Sequence, residues 1–390
     1  MNPFQIDIPV KVLFGAGQLD RLHEQALPGK KALIVISSGK STRANGYLDR
    51  TEKELAAAGA ATEVFAGIQA NPTLESVGKG AQAARAMGAD MIVALGGGSV
   101  MDAAKAIALM AVNEGNLWDY VGSGTGKGQK YVHRALPMIA ITTTAGTGSE
   151  VDATSVITNQ ETHEKIGLKF PDLYPCLAIV DPELMLTVPP RLTAFQGFDA
   201  LFHSLETYVN RKANLMSDMV ASTAIRNIGA FLPRAVAQGD DVEVRTHMAF
   251  ANTLSGYAMV LGGCTSEHSL EHAMSAYHEA LPHGAGLIML SLAYFGWMAD
   301  HHVCDDRLVD LARFLGRKDA SRPEEFLEAL ASLQKACGVD GLKMSEYGIT
   351  PEEFPKMAEN ATTAMKGLFL NDRMVLTRED CVAVYQKSYR

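Results

Sequence analysis

The sequence predicts a doubly wound α/β domain over residues 1–185 followed by an all-α domain over residues 186–390. Three observations lead there. Up to about residue 185, short β-branched or apolar runs alternate with amphipathic helical stretches. Glycine-bearing segments directly follow several of the runs. Beyond Asp181-Pro182 no convincing strand pattern recurs, and helical periodicity continues to the last residue.

The strand-like runs fall at residues 10–14, 32–36, 62–65, 91–95, 138–142, 155–158 and 177–180, with helical stretches such as 47–58, 73–87 and 101–112 between them. Such alternation predicts a parallel sheet covered by helices, a class that binds ligands outside the C-terminal ends of its strands. Pro189-Pro190 precedes Thr193, and Gln196 follows three residues later; this capping-box spacing predicts the first helix of the second domain from about Thr193.

Composition limits the partners. At about 100–200 residues per domain, 390 residues suffice for two or three domains. An apolar share of 47% and a charged share of 20% exclude a disordered, collagen-like or coiled-coil chain. Lys and Arg number 35 against 44 Asp and Glu, a net charge of −9, so neither nucleic acid nor a membrane surface is expected as a partner. An anionic ligand must then be held by local chemistry. The five cysteines are odd in number and widely spread, which predicts reduced thiols in the cytoplasm rather than a disulfide framework. The N-terminus lacks a leader-like pattern, and the uncharged stretches at 248–266 and 284–299 read as buried helices.

Gly15-Ala16-Gly17 begins like a dinucleotide fingerprint, but Asp20 occupies the place of the third glycine, and the segment reads as a structural turn. Gly96-Gly97-Gly98-Ser99 follows a strand and opens a helix; glycines there let a ligand approach the backbone, and the exposed N–H groups with the helix dipole attract phosphate. The alternative is a tight strand-to-helix turn. A third segment, Thr142 to Glu150, gathers hydroxyls and small residues suited to ribose, phosphate or nicotinamide.

Asp199 and His203 are four residues apart on one helix face, and His268 and His272 repeat that spacing. His283 follows at a Pro-His-Gly junction, and four of the 11 histidines fall between 268 and 283. One carboxylate with two or three imidazoles suits Fe(II), Zn(II) or a similar ion with open coordination positions. Ordinary helix surface is the competing explanation.

Taken together, Gly96 to Lys105, the TTAGTGSE segment at 143–150, Ala178 to Glu183, Asp199-Ala200-Leu201-Phe202-His203 and the run from His268 to Gly284 resemble the iron-containing (group III) alcohol dehydrogenases. The resemblance spans essentially the whole chain, with motifs in family order. It implies a Rossmann-like, dehydroquinate synthase-like first domain and a helical metal-binding domain. It further implies a metal held by Asp199, His203, His268 and His283, with Fe(II) expected and Zn(II) the alternative ion. His272 would stand beside that metal as a catalytic proton relay. Coenzyme would rest on Gly97, Gly98, Ser99 and Asp102, with Thr143, Thr144 and Thr147 along its nicotinamide half and Asn71 and Lys165 as further contacts. A homodimer or larger homo-oligomer acting on a small alcohol or aldehyde completes what the family implies.

One departure bears on the coenzyme. NAD-using members commonly end the second strand with an aspartate that binds the ribose hydroxyls. Here the strand runs into Ser37-Ser38-Gly39-Lys40-Ser41, so hydroxyls and the Lys40 cation favour NADP(H) over NAD(H). The expected reaction is hydride exchange between nicotinamide and a small primary alcohol or aldehyde, with the ion as Lewis acid. A glycerol dehydrogenase-like or dehydroquinate synthase-like enzyme of the same fold is the alternative. The synthase would need several basic side chains for a phosphorylated substrate, whereas residues 249–266 are uncharged.

Overall fold

A computed structural model describes residues 2–390, which divide into two compact units. Asp7–Thr187 forms one; Val188–Arg390, together with the residues up to Ile6, forms the other.

The first unit carries a six-stranded sheet built from β1 (Lys11–Phe14), β2 (Lys31–Ser37), β3 (Ala61–Ile68), β4 (Met91–Gly96), β5 (Met138–Thr142) and, after an intervening hairpin, β8 (Leu177–Val180). Strand order is β1-β8-β5-β4-β2-β3, and every neighbouring pair is parallel. The central strands β4 and β5 are buried along their whole length, which explains why they read as unbroken apolar runs. From β2 the chain moves outward to β3, then returns to the other side of β2 to build β4, β5 and β8. The order therefore reverses between β2 and β4, the switch point outside which such sheets bind ligands.

Helices Tyr47–Ala57, Leu74–Met87 and Gly98–Met110 connect the strands. Thr73 caps the second of these by accepting from Ser76 N, and Gly88, at φ 65°, ends it in the left-handed conformation that favours glycine. Leu19, Leu22, Leu48 and Leu55 pack with Ile34, Ile36, Val93, Ile139, Ile141 and Ile179 in one core. Each such side chain contributes about 1.5–3 kcal/mol by leaving water.

The run at 155–158 does not join this sheet. It lies in β6 (Thr154–Asn159), which pairs antiparallel with β7 (Glu164–Lys169), a strand that sequence reading missed. A short half-buried run has the same alternation in a hairpin as in a sheet, so pattern alone did not separate them. Ser155 Oγ donates to Asp102 O (2.6 Å) and Val156 N to Asp102 Oδ2 (3.0 Å), which ties the hairpin to the Gly98–Met110 helix.

In the second unit, helices Pro190–Val209, Leu215–Ala237, Val242–Leu261, Ser266–Tyr277 and His283–Asp300 precede Asp305–Phe314, Glu324–Ala336, Phe354–Ala364, the short Lys366–Phe369 and Arg378–Ser388. The first begins at Pro190, not near Thr193. Proline is preorganised for a first helical position, so the Pro-Pro pair, and not the Thr193 spacing, marks the start. Thr193 instead accepts from Arg245 Nη1 (3.0 Å) inside the helix. Among the described residues, no helix is long and apolar enough to cross a membrane.

Candidate metal centre and coenzyme loops

Asp199, His203 and Glu206 share one face of the Pro190–Val209 helix at i, i+4 and i+7. His268 and His272 lie on the Ser266–Tyr277 helix, and His283 is the first residue of the His283–Asp300 helix. Tertiary packing brings them together. Asp199 Oδ1 is 3.6 Å from His203 Nε2, 3.7 Å from His268 Nε2 and 3.5 Å from His283 Nε2. These separations are too long for hydrogen bonds, yet two donors bound at about 2.0–2.2 Å to one ion lie roughly 3–3.5 Å apart. Asp199 Oδ1 and His268 Nε2 are buried without a hydrogen-bond partner. Burying them so is costly unless something of opposite character joins them. The donor set thus fits a divalent cation, and the structure assembles all four residues expected as its ligands.

Burial alone would push the Asp199 carboxyl up, but the imidazoles of His203, His283 and His268 hold it well below the usual carboxylate range. The His203 and His268 rings stack at 4.5 Å between centroids. His272 stands beside the cluster, its ring 5.3 Å from that of His283 and 6.3 Å from that of His268.

Three neighbours escaped sequence reading. Glu206 accepts from His268 Nδ1, and its other oxygen accepts from Thr265 N (2.7 Å) and Thr265 Oγ1 (2.9 Å). Glu271 accepts from His283 Nδ1. Cys264 lies close enough that its Sγ and the donor atoms of His203 and His268 are within 4.8 Å of one another; burial pushes its thiol pKa up, which keeps it neutral. The i+7 spacing from Asp199 was a usable signal for Glu206; Glu271 and Cys264 carry none without the helix packing.

The His283–Asp300 helix approaches its neighbours through two glycines. A Cβ on Gly284 would fall 2.1 Å from Phe195 O, on the Pro190–Val209 helix, and one on Gly286 would fall 2.7 Å from Glu271 Cγ.

In the first unit, Ser37 ends β2, Gly97, Gly98 and Ser99 follow the end of β4, and Thr143, Thr144 and Thr147 follow the end of β5. Gly97 caps the Gly98–Met110 helix, whose first N–H groups have no acceptor within the helix. A Cβ on Gly97 would meet Thr144 Cγ2 at 2.8 Å and one on Gly98 would meet Thr147 Cγ2 at 2.2 Å, so the glycine loop and the threonine loop are packed together. Thr143 N donates to Gly96 O (3.1 Å). Ser99 and Thr143 are partly exposed, and Ser37 closes β2 with Lys40 exposed beyond it.

Behind the loops, Lys105 Nζ donates to Ser149 O, Ser149 Oγ, Asp152 Oδ1 and Thr154 O at 2.7–2.9 Å. Asp102 accepts from Ser149 Oγ (2.7 Å) and Val156 N, so both of its oxygens are used within the protein. Burial pushes its pKa up to about 6 against the nearby Lys105 cation.

Asn71 adopts a left-handed φ of 54° before Pro72, and Pro72 O accepts from Thr158 N (2.8 Å). Lys165, buried on β7, is the register partner of Thr158, which also bridges to Thr73. The Gly15–Gly17 turn is structural: Asp181 accepts from Gly17 N (3.2 Å) and Leu19 N (3.0 Å).

Comparison with known families decides the identity. Residues 9–182 match the model of iron-containing alcohol dehydrogenases, and residues 193–389 match the C-terminal model of the Fe-containing alcohol dehydrogenase family. The chain belongs to the iron-containing alcohol dehydrogenases. It is 33% identical to alcohol dehydrogenase 4 of Saccharomyces cerevisiae, over 98% of this chain and 97% of that protein. With the NADH-dependent butanol dehydrogenase A of Clostridium acetobutylicum it shares 29% identity over the full length of both. An archaeal halo-thermophilic alcohol dehydrogenase from a Red Sea brine pool superposes with a TM-score of 0.94 at 31% identity, covering 100% of this chain and 99% of that one.

As an iron-containing alcohol dehydrogenase, the protein is a metal-dependent oxidoreductase of alcohols and aldehydes that works with a nicotinamide coenzyme. The matches across both halves favour this activity over the glycerol dehydrogenase-like and dehydroquinate synthase-like alternatives. The family also accounts for the doubly wound sheet followed by helices.

Proposed function

We propose that Asp199, His203, His268 and His283 hold the catalytic ion, that the glycine and threonine loops hold the coenzyme, and that the substrate is a small primary alcohol or its aldehyde. The observation that carries the reading is the meeting of three imidazole Nε2 atoms around Asp199 Oδ1 at 3.5–3.7 Å. A divalent ion bound there supplies positive charge that eases loss of the alcohol proton and polarises a carbonyl. The coenzyme supplies the hydride acceptor or donor.

The chain's own residues do the rest. Asp199 and the three imidazoles would hold the ion through one carboxylate oxygen and three Nε2 atoms. His272 takes the alcohol proton on a ring nitrogen and passes it to solvent, a task suited to an imidazole, whose ring nitrogens both accept and donate protons. The first N–H groups of the Gly98–Met110 helix and the Ser99 hydroxyl receive pyrophosphate without any basic side chain. Thr143, Thr144 and Thr147 line the nicotinamide half, with Asn71 and Lys165 as further contacts. Asp102 and Lys105 act from behind by fixing Ser149.

For the coenzyme we favour NADP(H). β2 ends at Ser37, so no carboxylate occupies the position that binds ribose hydroxyls and repels a 2′-phosphate, and Lys40 follows three residues on. The butanol dehydrogenase relative is named as NADH-dependent, and the two coenzymes must therefore be compared directly. The unpaired spread of five cysteines supports a cytoplasmic setting. Self-association as a homodimer or larger homo-oligomer is supported by exposed Leu215 and Met219, one turn apart on a helix, and by exposed Phe4.

The test is a panel of aldehydes with NADPH and with NADH on metal-stripped protein reconstituted with Fe(II) or Zn(II). Reduction of short aldehydes that depends on the added ion is expected. Ion-independent turnover, or none with any aldehyde, overturns the reading.

A further inference from the structure

We infer that Glu206 and Glu271 are positioning residues that fix the tautomer and direction of two of the four ligands; this rests on the ligand set proposed above. Both carboxylates are fully buried, and each faces the Nδ1 of a different histidine, Glu206 that of His268 and Glu271 that of His283. An ionised carboxylate has acceptors and no donor, so each imidazole must carry its proton on Nδ1. Nε2 is then left with its lone pair, and in both rings Nε2 is the atom that faces Asp199 Oδ1. The carboxylate's negative charge also makes each imidazole a stronger donor to a cation.

The surroundings are built for this contact. Glu206 cannot swing away easily, because its second oxygen is held by both the N–H and the hydroxyl of Thr265. Glu271 reaches His283 across the space left by Gly286, where any Cβ would sit 2.7 Å from Glu271 Cγ and 2.9 Å from its Oε1. His283 is the more exposed ligand and begins its helix, so it is the one whose ring most needs an external hold. His203 and Asp199, by contrast, are set one turn apart by a single helix.

The experiment measures ion affinity, not turnover. Chelator-stripped parent protein, Glu271→Gln, Glu271→Ala, Glu206→Gln, Gly286→Ala and Asp199→Ala are titrated with Zn(II) against a chromophoric chelator and with Co(II) by its visible absorption. Glu271→Ala should bind about 10–100-fold more weakly, with an altered Co(II) spectrum. Glu271→Gln, whose amide oxygen still accepts from Nδ1–H, should recover part of the loss, whereas Glu206→Gln has one oxygen for both His268 Nδ1 and Thr265 N and should weaken binding relative to the parent. Gly286→Ala should weaken binding without touching a ligand. Parent-like affinity and spectrum in Glu271→Ala overturn the inference; if that variant does not fold, parent-like behaviour of both Gln variants overturns it instead. Loss of the ion in Asp199→Ala alone would leave the ligand set standing and remove only this inference. Retention in Asp199→Ala would remove both.

Discussion

Lys105 Nζ lies 2.7 Å from Asp152 Oδ1, with the lysine side chain wholly buried and the aspartate nearly so. The ammonium also donates to two backbone carbonyls and one hydroxyl of the segment that follows the threonine loop. Removing it leaves the buried Asp152 carboxylate without its cation, with only Thr154 N (2.8 Å) still donating to Oδ1, and takes the ammonium away from both carbonyls. Lys105→Met should therefore destabilise the nucleotide unit by about 3–5 kcal/mol and weaken coenzyme binding. Urea unfolding and nicotinamide fluorescence titration measure the two effects. Parent-like values in both would mean that Ser149 and Asp152 are held by other groups.

His272 stands beside the ligands with no place among the three nitrogens that meet Asp199. His272→Ala should keep nearly stoichiometric metal while turnover falls about 10²–10⁴-fold and the pH–rate profile changes. Elemental analysis alongside steady-state kinetics makes the comparison. If metal content falls together with activity, His272 belongs among the ligands.

Ser37→Asp addresses the coenzyme. The parent should give the higher kcat/KM with NADPH, and an aspartate at the end of β2 should reverse or strongly narrow that preference by repelling the 2′-phosphate. The change should appear mainly in KM, because the group is remote from the hydride. A parent enzyme that prefers NADH would remove the argument from Ser37 and Lys40.

Asp102 makes stability depend on pH. Its pKa is raised from 3.8 to about 6 in the folded protein, chiefly by burial, so the native state binds the extra proton. The stabilisation this gives is complete below about pH 4 and is lost as pH rises through about 6. Asp102→Asn has no such loss. Its stability relative to the parent should improve between pH 4 and pH 6 by up to about 2 kcal/mol, reduced from the full shift by partial contact with water. Thermal unfolding across that range reads the difference, and a constant offset between the two proteins would contradict it.

Much of this was readable along the chain because the signals are local. Gly97, Gly98 and Ser99 sit where a strand runs directly into a helix, and Asp199 with His203 needs only a helical repeat. His268, His272 and His283 were legible as a cluster through their density. Glu271 was not, and Glu206 offered only its i+7 spacing from Asp199, because a carboxylate on a helix reads as a solvated face until packing turns it against an imidazole. The β6–β7 hairpin was missed for a related reason: Thr158 faces Lys165 only once the turn at 160–163 is made, with His163 at φ 50°. Asp102 was expected at the coenzyme from its motif, whereas its carboxylate turns toward Ser149 and Val156, a tertiary property that the motif does not carry.

Gly284 has a wider consequence. Its bare Cα lets the start of one ligand helix rest against the backbone of another at Phe195, four residues before Asp199. That contact works as a gauge: main chain, which is stiff, sets the spacing of the two helices, and the Glu271 carboxylate orients the His283 ring upon it. The centre should therefore discriminate among ions by radius. A single added methyl group at 284 would open the gauge and shift that discrimination toward larger ions before it abolished binding altogether.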